Sequence, residues 1–269
     1  MSLQEVKGVV LFNRRHRERD YLVKIFTDQF GKLMFFVRGS KKNRLSLEQA
    51  IQPFANATYI VDIRSQGLSF LRDTKELNVM NHIYGDLFKQ AYATYLTNLA
   101  DAALEDRVVN PSLMMELKSA LEAINAGKDP ESITNIYEIH MMRWFGVEQK
   151  WDACVICGEQ EGAFDYSSKY NGLLCSRHWY LDERRYHLTP RTLYFIRLFS
   201  RTSFSQIADI SVGEETKKEL RAFIDSLYEE NVGLHLKSKS FIDHMHDFEN
   251  LHVDWSKRKK DKDEKDASR

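Results

Sequence analysis

The sequence predicts an α+β chain: a small β-barrel followed by a helical domain that carries a cysteine-rich insert. Three observations predict it. Residues 1–80 hold five short stretches rich in Val, Ile, Phe, Tyr and Thr, separated by polar or glycine-containing breaks. Beyond Asn81 the apolar spacing changes to three and four, the period of a helix face. All three cysteines fall in one window, from Cys154 to Cys175.

The expected strands are Leu3–Phe12, Tyr21–Thr27, Lys32–Val37, Ala55–Ile63 and Gly67–Thr74. In the third, Leu33, Phe35 and Val37 alternate with Met34, Phe36 and Arg38, so both faces are largely apolar. That suits a barrel filled inside and partly covered outside. Gly8 interrupts the first strand, where a bulge would help close the barrel. Five strands in residues 1–80 fit an OB-type Greek-key barrel, with an SH3-like barrel or an open sheet as the alternatives.

Residues 81–150 form the first part of the helical domain, with Tyr84, Phe88, Ala91, Tyr95 and Leu99 on one face. Asn110-Pro111, Asp129-Pro130 and Thr189-Pro190 each set a capping residue before a proline, which marks a helix start. Residues 151–180 are the insert, and residues 181–250 complete the helical domain, with Leu220, Phe223, Ile224 and Leu227 on a further helix. Residues 251–269 are expected to be a disordered, charged tail.

At 43% hydrophobic and 12% aromatic, the chain as a whole cannot be disordered. No run of eighteen apolar residues is present, and the N-terminal residues do not read as a signal peptide, so a cytoplasmic protein without a membrane partner is expected. Lys+Arg and Asp+Glu both number 39, a balance that argues against a nucleic-acid binder. The average hides its parts. Residues 1–80 carry 14 basic and 8 acidic side chains, whereas residues 151–256 carry 12 and 17.

The basic excess is concentrated in Arg14, Arg15, Arg17 and Arg19, then Arg38, Lys41, Lys42 and Arg44. With Lys24 and Lys32, residues 14–44 hold ten cations against three acids. Long cationic side chains on a barrel can follow a phosphate backbone, and Phe12, Tyr21, Phe26, Phe35 and Phe36 are candidate stacking surfaces for bases. A smaller set, Arg184, Arg185, Arg191, Arg197 and Arg201, could extend that surface, bind an acidic peptide, or form surface ion pairs.

Cys154-x2-Cys157 and Cys175-x2-His178 are two short turns that each offer two ligands. A tetrahedral zinc ion needs four, and with four protein ligands no position stays open for water. A structural zinc site is therefore expected. His187 is a nearby alternative to His178. The chain contains no phosphate loop GxxxxGK[ST], no GxGxxG turn after a strand, no HExxH and no GxSxG elbow, so catalysis is not expected. An RNA-binding barrel-and-zinc protein remains the alternative at this level, since charge and stacking do not choose DNA.

The order of several segments resembles the bacterial RecO family of recombination-repair proteins. These are Arg19–Thr27 (RDYLVKIFT), Gly31–Gly39 (GKLMFFVRG), Leu45 to Phe54, Ala91–Leu99 (AYATYLTNL), Cys154–Gly158 (CVICG), Asn171–Cys175 (NGLLC), Leu188–Pro190 and Gly233–Phe241 (GLHLKSKSF). The resemblance covers about residues 1–245. It implies an OB-fold barrel, a helical domain and an inserted zinc-finger-like region. It also implies a non-catalytic role: binding single- and double-stranded DNA, annealing strands, and helping RecR replace single-strand-binding protein with RecA. The implied partners are RecR, the acidic tail of single-strand-binding protein and, in some lineages, RecF. Family members often have a fourth cysteine where this chain has His178.

Overall fold

The structure, a computed structural model, describes residues 3–17, 20–39, 44–147, 149–204, 207 and 210–245. Arg19, Lys41, Lys42 and the charged tail lie outside these residues, and Arg44 is described only in its backbone.

Five strands close the N-terminal barrel: β1 Gln4–His16, β2 Asp20–Thr27, β3 Gly31–Val37, β4 Asn56–Asp62 and β5 Ser69–Asn78. Their order is β1-β2-β3-β5-β4, and β4 returns to β1. Only β3 and β5 run parallel. This is an OB-type barrel. Alternation sends Val23, Ile25, Leu33, Phe35, Tyr59 and Val61 inward. A short helix absent from the sequence-based expectation, α1 Arg44–Ala50, closes one end of the interior with Ala50 and Ile51. The Tyr59 hydroxyl, fully buried, donates to the Ala50 carbonyl at 2.9 Å.

Two expectations are corrected. The first strand does not stop at Phe12. It runs to His16 in register with β2, so Arg14 and Arg15 lie on a strand rather than in a loop. The ladder needs only backbone partners, and polar side chains on a solvent face do not interrupt it. The register shift falls between Val10 and Phe12, whereas Gly8 stays paired with Thr27 and Ala57.

The helical body comprises α2 Asn81–Tyr84, α3 Leu87–Ala103, α4 Pro111–Asn125, α5 Pro130–Met141, α6 Pro190–Phe199 and α7 Glu214–Asn231, followed by a helix over residues 237–245. The three Xaa-Pro starts are where the sequence places them. Asn110, Asp129 and Thr189 accept from the backbone N–H groups of Leu113, Ser132 and Thr192. A buried ion pair joins three helices: Glu138 on α5 meets Arg221 on α7 at 2.6 Å and accepts from the Tyr95 hydroxyl of α3 at 2.6 Å. Among the described residues, no helix is long and apolar enough to cross a membrane.

The barrel is docked on this body through one half of the outer face of β1–β3. Val9, Leu11 and Phe26 enter the helical core there. Beside them Lys32, 1% exposed, reaches Asp101 on α3 at 2.9 Å and also donates to the backbone carbonyls of Asp101 and Leu104. Lys24 reaches the same carboxylate at 2.6 Å and Asp106 at 2.9 Å. Burial disfavours the Lys24 ammonium, but the two carboxylates outweigh it and raise its pKa. Gly31 adopts φ +65°, and a Cβ there would collide with the Val108 carbonyl. These two lysines therefore leave the count of cations available to a ligand.

Removing one partner of a buried ion pair costs more than the pair contributes. Asp101→Ala should destabilise the chain by roughly 2–4 kcal/mol in urea unfolding, and adding Lys32→Met should recover most of that loss.

Candidate metal cluster and nucleic-acid interface

The insert is a three-stranded sheet, β6 Lys150–Cys154, β7 Phe164–Ser167 and β8 Gly172–Cys175, in the order β6-β8-β7. Two neighbouring strands end on Cys154 and Cys175. The turn after β6 then supplies Cys157, and the 3-10 helix Ser176–Leu181 supplies His178. Gly158, at φ +74°, lets the first turn double back, with its N–H donating to the Cys154 carbonyl at 2.8 Å.

One ligand atom from each of Cys154, Cys157, Cys175 and His178 lies within 4.8 Å of the others, an arrangement that could hold a metal ion. Cys157 and Cys175 Sγ are 3.8 Å apart, and His178 Nδ1 is 3.6 Å from Cys154 Sγ and 3.3 Å from Cys175 Sγ. Burial pushes the Cys154 thiol up, but N–H groups of Cys175, Cys157 and Ile156 pull harder and bring it down to about 6. His187, the sequence alternative, is outside the cluster and lies 3.8 Å from Asp165.

The insert is not an independent finger. Trp151 stacks on Tyr166 with centroids 5.2 Å apart, and Tyr166 meets Phe223 of α7 edge to face at 5.1 Å. Its core residues are continuous with those of the helices.

The barrel face presents the other candidate. Arg14, Arg15, Arg17 and Arg38 are exposed and make no ion pair among the described residues. Arg14 faces Leu22 on β2, Leu22 faces Phe36 on β3, and Phe36 faces Phe70 on β5, so the four share one outer row. Of the aromatics singled out from the sequence, Phe26 and Phe35 are fully buried, and Phe12 and Tyr21 pack against the cores. Only Phe36 remains on the open face. Phe70, Arg64 and Arg72, which sequence reasoning missed, join it there. Arg64 and Arg72 hold their guanidinium carbons 4.5 and 4.9 Å from the Phe70 ring centroid. A cation two residues from an aromatic on a strand is the local signal that could have found Arg72.

The second basic set divides. Arg185, 12% exposed, pairs with Asp165 at 3.1 Å, and Arg201 pairs with Asp152. Arg197 donates to the main-chain oxygens of Asp152 and Gln160, at 2.9 and 3.1 Å, and makes no ion pair among the described residues. Arg184 and Arg191 are exposed. Between the insert and α6, Arg185, Arg197 and Arg201 edge a groove of about 900 Å³, lined by Phe164, Trp179, Leu193, Tyr194 and Leu198.

A closed OB-type barrel with an open cationic face, fused to a helical body that embeds a Cys3His cluster, defines the class of protein. Comparison supplies the particular family. Residues 1–79 match "Recombination protein O N terminal" and residues 84–240 match "Recombination protein O C terminal". The chain is 53% identical over 250 residues to the DNA repair protein RecO of Enterococcus faecalis (strain ATCC 700802 / V583), covering 93% of this chain and 95% of that protein. It is 44% identical over 246 residues to the DNA repair protein RecO of Latilactobacillus sakei subsp. sakei (strain 23K), covering 91% and 90%. For that of Streptococcus suis (strain 05ZYH33) the identity is 46% over 243 residues, covering 90% and 93%. The chain belongs to the RecO family of DNA repair proteins.

Metal analysis of protein purified without chelator should find about one divalent ion per chain, and Cys175→Ser should lower that occupancy. Because Trp151, Tyr166 and Phe223 tie the insert into the helical core, chelation should leave the far-ultraviolet circular dichroism largely intact.

Proposed function

We propose that this protein is a non-catalytic mediator of recombinational repair. It binds single- and double-stranded DNA, anneals complementary strands and, with RecR, helps load RecA onto DNA coated by single-strand-binding protein. The observation that carries the reading is the row of arginines at the open end of the barrel, without carboxylate partners among the described residues. Cations already paired inside a protein release no counterions on binding DNA, whereas Arg14, Arg15, Arg17 and Arg38 do. Arg19, Lys41, Lys42 and Arg44, adjacent in sequence, belong to the same proposed surface. Annealing brings two polyanions together, and such a face screens their repulsion while leaving base edges free to pair.

Zinc is the metal that the Cys154, Cys157, Cys175 and His178 cluster fits best. A Zn–S bond of about 2.3 Å sets tetrahedral sulfurs about 3.8 Å apart, which is the Cys157–Cys175 separation. Four protein ligands give the ion a structural role. The groove beside α6 combines apolar walls with the guanidinium of Arg197, which has no ion-pair partner among the described residues, and it suits the acidic tail of single-strand-binding protein. RecR and RecF belong to the proposal through the family alone.

Replacing Arg14, Arg15 and Arg38 by Ala should weaken single-strand binding and flatten its log–log salt dependence by about 2, at roughly 0.7 for each phosphate no longer neutralised. An unchanged slope in the folded triple variant would sink the barrel-face assignment. Competition between DNA and RNA strands of equal length tests the RNA-binding alternative. Arg197→Ala should weaken capture of an acidic tail peptide without altering the salt slope for DNA.

A further inference from the structure

We propose that Phe36 and Phe70 form a base-stacking platform that makes the barrel face select unpaired strands over duplex. The inference rests on the DNA-binding reading and adds what the face discriminates.

The outer face of β1–β3 is divided. Its one half is covered by the helical body, which accounts for the apolar residues Val9, Leu11 and Phe26. Phe36 on the other half, and Phe70 beside it on β5, belong to neither core. They are partly exposed, meet edge to face at 5.9 Å, and are continued on one side by His16, 6.0 Å from Phe36. A contiguous aromatic row on the solvent side of a strand pair is not what packing of this chain alone requires.

Its flanks are cationic. Arg14 starts the row, and Arg64 and Arg72 hold Phe70 from the far side. Arg72 is compensated by Asp62 at 3.1 Å, whereas Arg64 is exposed and makes no ion pair among the described residues. Asp62 faces Phe70 from β4 and ends the positive track on that side. A π surface between guanidinium groups matches one kind of partner: a strand offering a free base face beside each phosphate. In a duplex those base faces are already stacked, so only the cations find a counterpart. Charge alone would bind both forms. The aromatic pair is what tells them apart.

The test uses the full chain and four probes: a single-stranded oligonucleotide, the same strand with a run of abasic sites, the matching duplex, and a strand carrying 2-aminopurine. The wild type should bind the intact strand roughly tenfold more tightly than the abasic one, within the range expected for stacking on aromatic side chains. Its binding should also change 2-aminopurine emission. Phe36→Leu and Phe70→Leu, which keep apolar bulk, should each shrink the intact-to-abasic ratio while leaving duplex affinity within about twofold. Equal wild-type affinity for intact and abasic strands would overturn the proposal, whatever the variants do. So would leucine variants that lose single-strand and duplex binding in equal measure, which would mark the pair as structural. A wild type that binds none of the probes would instead remove the DNA-binding reading beneath it.

Discussion

A lysine ammonium with almost no access to water must find anions, and here it finds them in another part of the chain. Lys32 sits on a barrel strand and Asp101 on a long helix of the central body, and their contact fixes how the two meet. Lys24 joins through the same carboxylate. Because an unpaired buried charge is so costly, alternative placements of the barrel that separate these groups are disfavoured. The docking then decides which strand surface is covered and which stays open.

The rest of the architecture follows from that division. With one half of the outer face spent on the helical core, the remaining half carries the aromatic row and the arginines that make no ion pair among the described residues. The acids that bring the chain to zero net charge lie largely in the helical body, where several are occupied in its own contacts: Asp101 with the lysines, Glu138 with Arg221, Asp165 with Arg185. Neutrality is thus a property of the sum and not of the surface. The Cys3His insert is joined to the body by Trp151, Tyr166 and Phe223, so the cluster shares one core with the helices.

Much of this is legible in the residues. Helix starts at Asn110, Asp129 and Thr189 are local chemistry, a side-chain acceptor followed by proline, and short-range signals survive folding well. The metal cluster is legible for the same reason, since each half is a tight turn. What sequence does not show is which cations are consumed. Lys24 and Lys32 look like members of a binding cluster until α3, some seventy residues on, brings Asp101 to them. Arg185 and Arg201 are likewise neutralised by acids more than fifteen residues away. The aromatic row is half visible: Phe36 stands out, but Phe70 becomes its neighbour only through the parallel β3–β5 pairing.

The shared carboxylate also limits how this molecule can be rebuilt. Asp101 answers to two lysines on two strands, so the barrel and the helices are matched parts rather than interchangeable modules. A barrel transplanted from a relative with different residues at positions 24 and 32 would leave Asp101 facing the wrong surface, and a transplanted helical body would strand Lys32 without its acid. Substitutions at these three positions are expected to travel together, as a lock and its keys are changed on the same day.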